Sequence, residues 1–207
     1  MSVPARYFGL TGGIACGKTT VAAMLQELGA YIIDADRIGH EMLLASSAAF
    51  PELLAAFGRG ILDSTGSVDR SKLGPLVFSD PAKLQQLNRI VHPGIIERTG
   101  QLAAKHCTEN PEAVVIVDAA LIFETGIPGR FVKTIVAWCR PEQQIQRLIA
   151  KTGLNREEAG RRIASQMPAE EKRRRADIVI DCSGSIDDTR RQVEDLFPVL
   201  QQLARSS

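Results

Sequence analysis

Apolar residues recur along the chain in two alternating rhythms. Short runs rich in β-branched and other apolar residues stand at Tyr7–Leu10, Tyr31–Ile33, Val114–Val117, Lys133–Cys139 and Ile178–Ile180, as in buried strands. Between them the apolar positions fall three and four apart. After Lys18, the residues Val21, Met24, Leu25 and Leu28 form one face of a helix, and Gly29 supplies a stop. A last helix follows Ser185, with Val193, Leu196, Leu200 and Leu203 facing the core. Pro198 lies inside that pattern and is expected to kink the helix or to end its first half. Strands alternating with helices predict an α/β fold, a parallel sheet joined by crossover helices.

The spacing between strands adds two features. The stretch 37–112, between the second and third strands, is far longer than one crossover needs. It reads as a mostly helical insertion, with a turn near Asp63-Ser-Thr-Gly66, and is large enough to bind a substrate. The stretch 141–175 is highly charged and rich in arginine, and reads as two helices projecting over the site. The core is then 1–36, 113–140 and 176–207, in one fold of 207 residues.

Composition narrows the function classes. With 25 basic against 24 acidic residues, the formal charge is +1, which argues against a general nucleic-acid coat. No apolar run approaches the roughly 20 residues of a membrane helix. Met1 to Tyr7 leads straight into the first strand, without room for a signal peptide. Cys16, Cys107, Cys139 and Cys182 are scattered, as reduced thiols of a cytoplasmic protein would be. His40, His92 and His106 do not join them at metal-ligand spacing. Monomer and small homo-oligomer both remain open.

One motif carries chemistry. Gly12, Gly13, Ile14, Ala15, Cys16, Gly17, Lys18 and Thr19 match G-x-x-x-x-G-K-[ST], behind a strand and ahead of an amphipathic helix. Glycines let the backbone curl so that successive N–H groups converge on phosphate oxygens. The helix beginning at Lys18 adds the positive end of its dipole. Lys18 is placed for the β- and γ-phosphates of ATP, and the Thr19 hydroxyl for Mg²⁺. Asp118, closing the third strand, is the matching carboxylate for that Mg²⁺ shell. Asp34-Ala-Asp36 closes the second strand on the same edge of the sheet, where one aspartate can cap a helix while the other takes a hydroxyl proton; Asp36 is the choice for chemistry. Cys16 has two readings. Ahead of a helix N-terminus its thiol pKa would fall and make it the most reactive of the four, or it packs against the helix and is inert.

The segments GLTGGIACGKTTVA, IIDADRIGHEM, VHPGII, DAALIFETG and ADIVIDCSGS, in this order and spacing, resemble the dephospho-CoA kinase family over nearly the whole chain. The phosphate loop is widely shared. The D-A-D triplet, the His-Pro pair and D-x-x-L-[LI]-F-E are jointly specific. The resemblance implies a P-loop kinase fold, a CoA-binding helical insertion and a helical lid, with ATP and dephospho-CoA as substrates and Mg²⁺ as cofactor. Carried over by position, Gly12 to Thr20 bind ATP, and Asp36 activates the ribose 3′-hydroxyl. His92 lies in the CoA-binding part, Leu121, Phe123 and Glu124 line the acceptor side, and Arg147 and Arg162 are the lid arginines. The sequence departs from the family pattern at Cys16, Ala120, Lys151 and Cys182. A GTP-binding switch protein would carry N-K-x-D, which does not occur.

Overall fold

The computed structural model describes residues 6–206, and of Phe78 the backbone alone. The expected approach from Met1 to the first strand therefore lies, up to Ala5, outside the described residues. Five strands form one sheet: β1 (Phe8–Gly12), β2 (Tyr31–Asp34), β3 (Val115–Asp118), β4 (Thr134–Trp138) and β5 (Ile178–Asp181). Their order is β2-β3-β1-β4-β5, and every pairing is parallel. β1 and β4 are buried at every position, whereas the edge strands β2 and β5 are only partly covered. Strands covered on both faces need unbroken apolar runs, and that is how the inner strands read.

The chain divides into two compact units. The first, residues 1–34 and 102–207, holds the sheet. Helix α1 (Lys18–Glu27) buries Val21, Met24 and Leu25 in its core and gives way at Leu28, with Gly29 at φ 103°. Helix α9 (Ile186–Ser206) corrects one expectation, since it does not end at Pro198. Val193, Leu196 and Phe197 before the proline and Leu200 and Ala204 after it are buried in the same core, and that shared burial offsets the missing N–H.

The second unit is Ala35–Gln101. It contains α2 (Ala35–Glu41), α3 (Phe50–Phe57), α4 (Arg70–Phe78) and most of α5 (Pro81–Glu109). Its own core gathers Leu53, Ile61, Val68, Leu73, Val77, Ile90 and Val91. The unit is shorter than the stretch 37–112 marked out by the sequence, because the last turns of α5 belong with the sheet. Ala103 is fully buried there, and the His106 ring stacks on Tyr31 of β2 at 3.7 Å between centroids.

The arginine-rich stretch forms three helices rather than the expected two: α6 (Pro141–Thr152), α7 (Arg156–Ala164) and α8 (Ala169–Arg175). Gly153 ends α6 in the left-handed conformation, and Asn155 opens α7 with a capping box to Glu158. Pro168 sits where α8 begins.

A second cap is testable. The Asp188 N–H donates to Ser185 Oγ at 3.1 Å, and the Ser185 N–H donates to Asp188 Oδ2 at 2.9 Å, a reciprocal pair at the start of α9. Ser185→Ala is expected to lower unfolding stability by about 1 kcal/mol. The urea midpoint measures it, and an unchanged midpoint would rule out the cap as a contributor.

Candidate active site

The phosphate loop joins β1 to α1. Gly12 is in register with Ala137 of β4, and a Cβ there would lie 2.5 Å from the Ala137 carbonyl oxygen, so a side chain has no room. Ala15 at φ 60° and Gly17 at φ 103° take the left-handed conformation that curls the loop. Gly17 brings no side-chain cap to α1, so the first N–H groups of the helix are presented to an anion together with its dipole.

Lys18, the first residue of α1, forms an ion pair with Asp118 Oδ1. Both side chains are largely withdrawn from water, 16% and 13% exposed, which strengthens the attraction relative to a surface pair. The β1–β3 ladder makes this possible by placing the ends of the two strands side by side. Asp34 is paired in register with Asp118 across β2 and β3. Asp36 follows two residues later, exposed, in the first turn of α2, and Asp34 precedes that helix at the capping position. Thr19 is exposed and Thr20 half-buried on the first turn of α1.

The segment after β3 is fastened on both sides. The Ala119 N–H donates to Leu10 O at 3.0 Å, and Thr11 Oγ1 donates to Ala120 O at 3.0 Å. From α8, Lys172 Nζ donates to Ala120 O at 2.6 Å and pairs with Glu124 Oε1 at 2.8 Å. Glu124 Oε1 also accepts from the Met167 N–H at 2.9 Å. Leu121 is half-buried, while Phe123 is packed into the sheet's core and borders a cavity of about 450 Å³ with Phe131 and Pro128.

The arginine-rich helices also reach the phosphate loop. Gln144 Nε2 donates to Ile14 O at 2.9 Å, and the Ile14 N–H donates to Gln166 Oε1 at 3.2 Å. Arg147 Nη2 donates to the Cys182 carbonyl at 2.8 Å, in the loop between β5 and α9. Arg162 stands exposed on α7. Lys18, Asp118, Glu124 and Arg147 therefore belong to one compact unit with the phosphate loop. His92 belongs to the second unit, half-buried on α5 next to Pro93, and burial holds its imidazole pKa below the ordinary value.

A sequence model of the dephospho-CoA kinase family matches residues 6–188. The chain belongs to the dephospho-CoA kinase family. It is 45% identical over 189 residues to the dephospho-CoA kinase of Symbiobacterium thermophilum, an alignment covering 91% of this chain and 79% of that one. A dephospho-CoA kinase from Campylobacter jejuni superposes with a TM-score of 0.70 at 28% identity, covering 95% of this chain and 98% of that one. A protein from Thermus thermophilus gives a TM-score of 0.76 at 34% identity, over 96% and 99% of the two chains. The kinase thus has the P-loop fold that its strand order and loop imply. No helix among the described residues is long and apolar enough to cross a membrane.

Three residues of the arrangement escaped the sequence reading: Gln144, Gln166 and Lys172. Gln144 and Lys172 are buried polar side chains inside a stretch whose charge density suggests a solvated surface. Their only signal is spacing, since Lys172 lies three residues after buried Ala169.

Of the two readings of Cys16, the structure bears out the inert one. It is fully buried, and the neighbouring Cys139 thiol together with burial pushes its pKa up, which sets aside the acidic, reactive thiol. The Cys16 side chain turns into the core, and its N–H donates to Gly13 O at 3.1 Å. A maleimide in excess over native protein is expected to leave Cys16 unmodified over minutes and to label it fully once the chain is unfolded. Stoichiometric labelling of Cys16 in the native state, read by peptide mass spectrometry, would restore the reactive reading.

Proposed function

We propose that this kinase transfers the γ-phosphoryl group of ATP to the ribose 3′-hydroxyl of dephospho-CoA, giving CoA and ADP, with Asp36 as base. The observation that carries the reading is the family match along residues 6–188. The phosphate loop, Gly12 to Thr20, would hold the triphosphate by its converging N–H groups and the first turn of α1. Lys18 would exchange its bond to Asp118 for the β- and γ-phosphate oxygens. Asp36 would accept the proton of the 3′-hydroxyl as its oxygen attacks phosphorus. The bond from phosphorus to the β-γ bridging oxygen then breaks, and ADP carries away the electron pair.

The Thr19 hydroxyl and the Asp118 carboxylate fit Mg²⁺, a hard cation that takes oxygen ligands and keeps several waters. When bound it would neutralise charge on the phosphates. Arg147 and Arg162, on helices α6 and α7, would supply guanidinium forks to the transferring oxygens as the lid closes. Arg147 is held by Cys182 O near the phosphate loop's helix, whereas Arg162 would need to move in from the exposed surface of α7. His92, Leu121 and Glu124 would contact the acceptor, and Phe123, buried in the sheet's core, would support the acceptor side through packing.

Incubation with MgATP and candidate acceptors, followed by mass spectrometry, tests the reading. CoA should form, with kcat/KM for dephospho-CoA far above that for AMP, adenosine or pantothenate. Equal or better use of AMP would overturn the acceptor assignment.

Asp36→Asn removes the base while keeping its shape. kcat is expected to fall on the order of 10²-fold or more, with the affinity for ATP little changed. A kcat within about threefold of the parent would return Asp36 to a structural role at the start of α2.

A further inference from the structure

Lys172 is 0% exposed, and no other charged side chain among the described residues is as deeply buried. Its neighbours Arg173, Arg174 and Arg175 on the same short helix face solvent. Burying an ammonium carries a large desolvation penalty, and an apolar side chain of similar length commonly packs as well or better. Packing alone therefore does not account for a lysine here. What lysine adds is direction, through its bonds to Ala120 O and Glu124 Oε1.

These two acceptors sit in the segment that begins at Asp118. The Ala120 carbonyl is shared between Thr11 of β1 and Lys172 of α8, so both of its lone pairs are engaged. Glu124 in turn holds the Met167 N–H, and the adjacent Gln166 holds the Ile14 N–H of the phosphate loop. A continuous set of hydrogen bonds thus runs from β1 through Ala120, Lys172, Glu124 and Met167–Gln166 back to the phosphate loop. Asp118 lies two residues from its most heavily bonded point.

We propose that Lys172 is a positioning residue for phosphoryl transfer, fixing Asp118 and the linker between α7 and α8 relative to the phosphate loop. It touches neither substrate and acts through Ala120 and Glu124. The proposal rests on the kinase reading above, in which Asp118 and the lid serve the transfer.

Lys172→Met and Lys172→Gln test it, with folding checked by circular dichroism. Lys172→Met is expected to lower kcat by about 10-fold or more, while KM for ATP and for dephospho-CoA stays within about threefold. The Mg²⁺ concentration for half-maximal activity should rise, which a merely structural lysine would not cause. Lys172→Gln keeps a hydrogen-bond donor but loses the charge and the reach, and its kcat should lie between those of Lys172→Met and the parent, still more than about threefold below the parent. Its amide leaves Glu124 a polar neighbour, so it carries the kinetic test if Lys172→Met does not fold. A folded variant with kcat within threefold of the parent, or a loss confined to KM, would overturn the proposal. So would failure of both variants to fold, which would make Lys172 a folding requirement only. Measuring the slow hydrolysis of MgATP in the same proteins separates this outcome from a wrong acceptor, since that reaction needs no dephospho-CoA.

Discussion

An ammonium and a carboxylate from distant parts of the chain meet at the carboxyl edge of the sheet, and the functional reading depends on that meeting. Lys18 and Asp118 are one hundred residues apart in sequence, yet the parallel pairing of β1 with β3 puts Asp118 beside the strand end from which the phosphate loop leads to Lys18. Their pair spans the boundary between the loop that would hold phosphate and the strand that would hold its counter-ion. Because both groups are largely shielded from water, each sets the other's orientation more strongly than a surface pair would.

The same edge is braced from behind. Strand β1 contributes Leu10 O and Thr11 Oγ1 to the segment after β3, and α8 contributes Lys172. The three helices between β4 and β5 thus do two kinds of work. Their outer faces carry charge pairs such as Arg156 with Glu142 and Arg161 with Glu157, which are exposed and individually weak. Their inner faces carry Gln144 and Lys172, and the linker between α7 and α8 carries Gln166; the bonds of these three reach the phosphate loop and the segment after β3.

Much of this was legible in the sequence because it follows from local rules. The five strands are short apolar runs, and the structure places each within a residue or two of the expected span. The phosphate loop is a local motif whose glycines have steric causes, as Gly12 against Ala137 shows. Other features depend on what lies opposite a residue, which spacing does not reveal. Lys172 looks like one more charge in a basic helix until Glu124 and Ala120 are seen across from it. Cys16 follows the rule for a thiol near a helix start only if its side chain faces the anion site, and it faces Cys139 instead. Pro198 breaks a helix in isolation, but here the buried stripe on both sides carries α9 through.

The position of β1 at the centre of the sheet has a consequence for how the chain is made. Its partners are β3 and β4, in register from Phe8 with Ile116 and from Gly9 with Thr134. In a chain synthesised from its N-terminus, β1 emerges before the other strands of the sheet and has neither partner until β3, which begins at Val115, has been made. At roughly 5–20 residues per second, that interval is on the order of 5–20 s. Throughout it, the apolar strand that will carry the phosphate loop presents two open edges, a hazard for wrong pairing that the finished sheet no longer shows.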